Sequence, residues 1–288
     1  MAKPTAVRTV QTANAVRAAI GEWRAAGQRV AFAPTMGNLH KGHLSLANLA
    51  AETAPRVVMS IFVNPTQFGP SEDFATYPRT LAEDAALIGA TGHVDLLFVP
   101  SVAEIYPFGV EHAVRVQLPP LSAELCGARR PGHFDGVASV VCRLLNIVDP
   151  DVLILGQKDY QQFVLMQRMV SDLRMPVELR MGPTLREPDG LAMSSRNRYL
   201  DPQQRLKAPA LHAALEHVRD RLRSGSADLA KLTAEACAFL ERAGLTPDYV
   251  EIRRRDDLAP ATPDVAEKRV VLGAAWLGRA RLIDNLFV

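Results

Sequence analysis

The sequence predicts an α/β protein: an N-terminal doubly wound, Rossmann-like parallel sheet followed by a smaller C-terminal α+β domain. Three observations carry this. Short, nearly unbroken apolar runs, such as Val57–Val63 and Val152–Leu155, read as strands covered on both faces. Between them lie segments with apolar residues at helical spacing, as in Val137, Val140, Val141, Leu144, Leu145 and Val148. Beyond Pro183 the alternation gives way to helical stretches and two further strand-like runs. Strands alternating with helices imply a mostly parallel sheet with right-handed crossovers, and ligands of such sheets gather at the carboxyl ends of strands.

Taken in order, Thr12 is placed to cap a helix whose apolar positions Val16, Ile20 and Trp23 recur at helical spacing. The strand Val30–Ala33 runs into Pro34-Thr35-Met36-Gly37-Asn38-Leu39-His40-Lys41-Gly42-His43, and a helix through Leu44, Ala47 and Ala50 follows. The strand Val57–Val63 stops at Asn64-Pro65, where proline breaks the ladder and opens a polar loop through Gln67. A helix near Leu81–Ile88 leads to a strand at Leu96–Pro100. The strand Val152–Leu155 ends at Gly156-Gln157-Lys158-Asp159, and the next helix carries Phe163, Met166, Val170 and Leu173. After the Pro183–Gly190 stretch comes Met193-Ser194-Ser195-Arg196, then Asp201-Pro202, an N-cap with proline at the first helical position. Two helices are expected next, the second ending near Gly244, and strands at Tyr249–Ile252 and Val270–Leu272. The expected domains are 1–183 and 184–288, the second a lid carrying the Ser-Ser-Arg loop.

Bulk properties narrow the function. Of 288 residues, 48% are apolar and 22% charged, ordinary for a globular protein, and a net charge of +2 gives no support to a nucleic-acid partner. Cys126, Cys142 and Cys237 are widely spaced and odd in number, so they are expected to be reduced, buried, inert thiols of a cytosolic protein. Met1-Ala2-Lys3-Pro4 lacks the apolar core of a signal peptide, and no uncharged run is long enough to span a bilayer. A cytoplasmic protein without membrane association is the expectation. There is no P-loop, no Gly-x-Gly-x-x-Gly turn and no Gly-x-Ser-x-Gly elbow.

The histidine turn is the most informative motif. At a strand-to-helix turn the backbone N–H groups are expected to point outward, and the helix dipole favours anions. Gly37 and Gly42 allow close approach of a ligand, and His40 and His43 can donate to a phosphate whose charge grows in a transition state. The turn therefore reads as a cradle for a nucleotide α-phosphate; a pair of capping histidines, or a zinc site whose third ligand is not evident, are the alternatives. Lys158, after a buried strand, suits phosphate neutralisation, or is a solvated turn lysine. Asp159 suits a ribose hydroxyl, the orientation of Lys158, or simply a helix N-terminus. Ser194, Ser195 and Arg196 offer hydroxyls and a guanidinium to β- and γ-phosphates, unless the loop is only a polar hinge. Gln67 and Gln162 are neutral amides suited to the hydroxyls and carboxylates of a small polar substrate.

Together these segments resemble the nucleotidyltransferases related to class I aminoacyl-tRNA synthetases. The blocks Pro34–His40, Ser60–Pro65, Tyr77–Thr80, Arg130–Phe134, Lys158–Gln162, Met193–Asn197 and Ala274–Gly278 resemble, in order, the pantothenate synthetase family. The resemblance implies ATP-dependent condensation of pantoate with β-alanine through a pantoyl adenylate, releasing AMP and pyrophosphate. It implies that Met36, Gly37, Asn38, Leu39, His40, Lys41, Gly42 and His43 bind ATP, with His43 the proton donor and His40 its partner. It likewise implies ATP contacts at Gly156, Gln157, Lys158, Asp159, Leu185, Met193, Ser194, Ser195 and Arg196, pantoate contacts at Gln67 and Gln162, and β-alanine near Gln67. Mg²⁺ held mainly through phosphate oxygens and a homodimer through the N-terminal domain are further implications. Two positions depart from the family pattern: Gln157 stands where a glutamate is usual, and Cys126 where a glutamate is common. Another adenylyl- or cytidylyltransferase, or a silent nucleotide- or RNA-binding module, is the competing reading.

Overall fold

A computed structural model describes residues 7–70, 72, 74–263 and 268–288; the segment Met1–Pro4 read above for a leader lies outside them. The first of two compact units runs to Gly156 and takes in Leu165–Gly182. Its strands are β1 (Arg8–Val10), β2 (Val30–Thr35), β3 (Arg56–Ile61), β4 (Leu96–Phe98), β5 (Val152–Gly156) and β6 (Glu178–Gly182). All pair in parallel, in the order β1-β4-β3-β2-β5-β6. From β2 the chain steps outward through β3 to β4, then returns to lay β5 on the other side of β2. The order therefore reverses between β2 and β5, the point at which open parallel sheets hold ligands.

The residues explain most of these elements. Four central strands, β2 to β5, are almost wholly buried, as their apolar runs require. Thr12 caps the helix Ala13–Ala25 by accepting from the Ala15 N–H at 3.2 Å. Ala33, Ala47, Ile61, Ile88, Leu97 and Ile154 pack into one core, each large side chain contributing roughly 1.5–3 kcal/mol. The helix His133–Val148 lies so close to the loop after β3 that a Cβ on Gly136 would overlap the Thr66 carbonyl.

Two strands of this sheet were not foreseen. β1 is three residues long, and β6 (Glu178-Leu179-Arg180-Met181-Gly182) alternates exposed and half-buried positions. Both lie at edges, where one face meets water and no continuous apolar run is needed.

The second unit comprises Gln157–Val164 with Pro183–Val288, so the lysine turn groups by its contacts with the C-terminal part of the chain. Three helices, not two, follow the serine loop: Pro202–Lys207, Ala210–Arg223 and Leu229–Arg242. Asp201 caps the first by accepting from the Gln203 and Gln204 N–H groups, both at 2.8 Å. The sheet has three antiparallel strands, β7 (Thr246–Arg254), β8 (Arg269–Leu277) and β9 (Ala280–Phe287), in that order. β9 escaped the sequence reading because its Ala-Arg-Leu-Ile-Asp-Asn-Leu-Phe run puts two polar residues, Asp284 and Asn285, in buried positions. Leu211, Leu215, Val218, Leu232, Leu240, Val271 and Leu282 form its core.

The three cysteines are free, but only Cys126 is buried; Cys142 and Cys237 are half-buried, which corrects the expectation of three enclosed thiols. Burial pushes the Cys142 and Cys237 thiols upward. Among the described residues, no helix is long and apolar enough to cross a membrane.

Candidate active site

The histidine turn is built by local hydrogen bonds and one distant carboxylate. His40 is the N-cap of the helix Lys41–Thr53: its Nδ1 accepts from the Gly42 N–H at 3.1 Å. His43 Nδ1 accepts from the His40 N–H at 3.3 Å, closing a reciprocal capping box. The two rings lie 4.1 Å apart between centroids. A nitrogen that accepts carries no proton, so each neutral ring bears its hydrogen on Nε2. The capping reading does not exclude the phosphate reading: capping uses Nδ1, and a donor role toward phosphate would fall to Nε2–H.

Gly37 and Asn38 sit at φ +81° and +52°, left-handed conformations that glycine and asparagine tolerate best. Asp84, fully enclosed on the helix Leu81–Thr91, holds them: its carboxylate accepts from the Asn38 N–H at 2.9 Å, the Leu39 N–H at 2.8 Å and the Thr80 hydroxyl at 3.1 Å. The Gly37 N–H goes to Thr35 Oγ1 at 3.3 Å. This corrects the expectation that the turn's backbone N–H groups point outward to an anion. Those of Gly37, Asn38, Leu39, His40, Gly42 and His43 are all engaged within the protein. Six of the turn's main-chain donors are therefore committed to the protein's own structure. The Leu39 side chain belongs to the core, and Lys41 is exposed.

The loop after β3 fixes Gln67. Asn64, buried and followed by Pro65, donates from Nδ2 to Gln67 Oε1 at 3.1 Å and to the Gly136 carbonyl at 3.2 Å, and accepts from the Tyr106 hydroxyl at 2.7 Å. Gln67 Nε2 donates to Met36 Sδ at 3.2 Å, which brings two of the expected site residues together. Behind them, Arg130 grips Glu72 with two 2.6 Å bonds and donates to His133 Nε2 at 2.7 Å. An arginine cannot accept, so His133 carries its proton on Nδ1, which donates to the Gln67 carbonyl at 2.8 Å. Burial alone would push the Glu72 carboxyl up, but Arg130 outweighs it and holds Glu72 below its ordinary value.

In the second unit, Gln157, Lys158 and Asp159 form a tight turn leading into the helix Tyr160–Asp172, on which Gln162 is half-buried. Lys158 Nζ stands 3.5 Å from Asp159 Oδ1. Asn285 donates from Nδ2 to the carbonyls of Gln157 at 2.9 Å and Lys158 at 3.0 Å, and accepts from Gln157 Nε2 at 3.2 Å. Leu185 and Met193 are neighbours through a Met193 N–H to Leu185 carbonyl bond of 3.0 Å. Ser194 Oγ accepts from the Arg196 N–H at 3.2 Å, starting a tight turn at Ser195–Tyr199 and leaving its own O–H to donate. Ser194, Ser195 and Arg196 are half-buried.

Asp284 anchors this loop. Its carboxylate accepts from Arg186 Nη1 at 2.6 Å and Nη2 at 2.9 Å, and from the Asn285 N–H at 2.7 Å. His212 Nδ1 lies 3.3 Å away. Burial would raise this carboxyl, but His212 and Arg186 overcome it and keep it below the ordinary carboxylate range. Asp84, Asn64, Arg130, His133, Asp284 and Asn285 were not singled out as site residues from sequence. Their signals were local ones, a first-turn acid, a residue before proline or a polar pair within a strand, and each has a commoner explanation.

With the geometry in place, likeness to known proteins decides the family. The family model for pantoate-beta-alanine ligase matches residues 8–287. The chain belongs to the pantoate-beta-alanine ligase family. It is 53% identical over 279 residues to the pantothenate synthetase of Alkalilimnicola ehrlichii, covering 97% of this chain and 96% of that one. With the Pseudomonas aeruginosa pantothenate synthetase it shares 51% over 282 residues, covering 98% and 99%. Among solved structures, a pantothenate synthetase from Thermus thermophilus superposes with a TM-score of 0.87 at 47% identity, covering 97% and 99%. A Francisella tularensis pantoate-beta-alanine ligase, complexed with beta-gamma ATP and beta-alanine, gives 0.81 at 32% identity, covering 98% of each chain. The expected family and fold are therefore those observed, and the chain is a ligase.

Proposed function

We propose that this ligase joins (R)-pantoate to β-alanine in two steps at the expense of ATP. In the first, a pantoate carboxylate oxygen attacks the α-phosphorus, the bond to the β-phosphate oxygen breaks, and pyrophosphate leaves. In the second, the neutral amine of β-alanine attacks the acyl carbon of the pantoyl adenylate, the acyl carbon–oxygen bond breaks so that AMP departs with that oxygen, and the nitrogen releases one proton to solvent as the amide forms. The observation that carries this reading is the pair of imidazoles whose Nδ1 atoms are committed to capping. Each neutral ring then donates through Nε2, without first being protonated, to phosphate oxygens that gain charge in the transition state.

The nucleophile is already a carboxylate, so alignment is what the protein must supply. Gln67, held by Asn64, Met36 and the His133 contact to its carbonyl, supports a role in that alignment. Lys158 and Arg196 supply positive charge for the departing pyrophosphate, with the hydroxyls of Ser194 and Ser195 as neutral donors. Gln162 is assigned to pantoate with Gln67, and ATP is the co-substrate. The Francisella tularensis complex with beta-gamma ATP and beta-alanine supports both the nucleotide and the amine.

Mg²⁺ belongs to the reading only as an ion carried by the triphosphate. Among the described residues, no group of three or more His, Cys, Asp or Glu side chains lies together to hold one, so the residues present do not build a protein cage, and no step above runs through the ion.

Pantoate-dependent exchange of labelled pyrophosphate into ATP, with β-alanine omitted, tests the adenylate directly. Exchange that needs pantoate is the expected result. Amide formation without any exchange would remove the intermediate, and exchange with a different acceptor alone would favour a nucleotidyltransferase.

A further inference from the structure

Gln157, in the lysine turn, has a specific partner in the structure. The Gln157 and Lys158 carbonyls both face the Asn285 side chain, and carbonyls only accept. The Asn285 nitrogen must therefore point at them, which leaves Oδ1 turned toward Gln157. Gln157 meets it with Nε2, so each amide presents the complementary end to the other. Asn285 is 1% exposed, and no water can replace a lost bond there without a rearrangement. Asp284, the residue before it, grips Arg186, and Arg186 Nη1 also donates to the Gly190 carbonyl at 3.0 Å. Arg186 and Ala192 are bridged backbone to backbone, and Met193 to Arg196 follow directly. Asn197 Nδ2 ties the loop back to the Ala192 carbonyl at 3.0 Å.

Two adjacent residues of β9 thus hold two separate phosphate-facing segments of the same unit. We propose that Asp284 and Asn285 are positioning residues that set Lys158 and the Ser194–Arg196 loop in register for one triphosphate, with Gln157 locking the Asn285 amide in place. This rests on the functional reading above for what the two segments bind. It goes beyond that reading in assigning their relative placement to a strand to which that reading gives no substrate contact. It also accounts for the glutamine: a carboxylate at 157 would turn an acceptor toward Asn285 Oδ1, and flipping the amide to suit it would break both carbonyl contacts.

The test compares Asn285→Asp and Gln157→Glu with the unmodified chain. ATP affinity is measured by titration calorimetry, and the KM values for ATP and pantoate in pyrophosphate exchange. Asn285→Asp keeps the side-chain shape but loses both donors, and is expected to weaken ATP binding roughly tenfold or more; Gln157→Glu, which loses one bond, by about threefold. The KM for pantoate should stay within twofold, a split that simple loss of folded protein would not produce. Unchanged ATP affinity in folded Asn285→Asp overturns the proposal, and if that variant fails to fold, unchanged affinity in Gln157→Glu does so. Should the unmodified chain bind ATP yet show no exchange, the adenylate reading falls while the affinities still judge the positioning role. If it does not bind ATP at all, both fall.

Discussion

The histidine turn and the lysine turn both follow buried strands of one parallel sheet, yet they are held in opposite ways. In the histidine turn, most contacts span two or three residues: His40 to Gly42, His43 to His40, Gly37 to Thr35. One carboxylate, Asp84, reaches in from 45 and 46 positions away. The lysine turn is fixed instead by Asn285, across separations of 127 and 128. A turn at the end of a buried strand can thus be self-supporting or held by a remote strand. Only the first kind announces itself in a short stretch of sequence.

Substitutions can break that contrast from either side. The largest effect is expected from Arg186→Met, which leaves the Asp284 carboxylate enclosed without its principal partner. Urea unfolding should show a loss of about 3–5 kcal/mol. Next comes His43→Ala, expected to lower kcat by about 10²–10³ with the circular dichroism spectrum unchanged, as for removal of a transition-state donor. Unaltered turnover would take His43 out of the chemistry. A smaller effect should follow Asp84→Asn, which sets an amide NH₂ against one of two main-chain donors and costs about 1–3 kcal/mol. Hydrogen exchange at Asn38 and Leu39 should quicken there, while exchange around Lys158 stays as it was.

Acid should act most gently. Asp284 and Glu72 have carboxyls held below their ordinary values, so their contribution is fully present above the unfolded-state value and is lost as pH falls through the lower folded one. Stability should be flat from neutrality to about pH 5 and decline below about pH 4. A midpoint that instead fell between about pH 7 and about pH 6 would implicate a different group, a histidine above all.

Much of the first unit was legible because its strands are covered on both faces and therefore leave unbroken apolar runs. Edge strands β1 and β6 escaped for the same reason in reverse, since water on one face removes the pattern. In the site, spacing singled out His40 and His43, and their capping geometry explains why that spacing is needed. The outward backbone donors were misjudged because Asp84 looks in sequence like any acid in a first helical turn. Asp284 and Asn285 were illegible for a more general cause. A polar pair inside a strand reads as solvent-facing unless its partners, far along the chain, are already known.

The bond between Asn285 and the lysine turn has a consequence in time. Closing a contact across 128 residues is entropically slow compared with winding one helical turn. During refolding the histidine turn should mature with its helix, whereas the ammonium of Lys158 finds its final bearing only once β9 has zipped onto β8. Nucleotide binding should then lag behind the recovery of helical signal, and the interval between them would clock that last docking event.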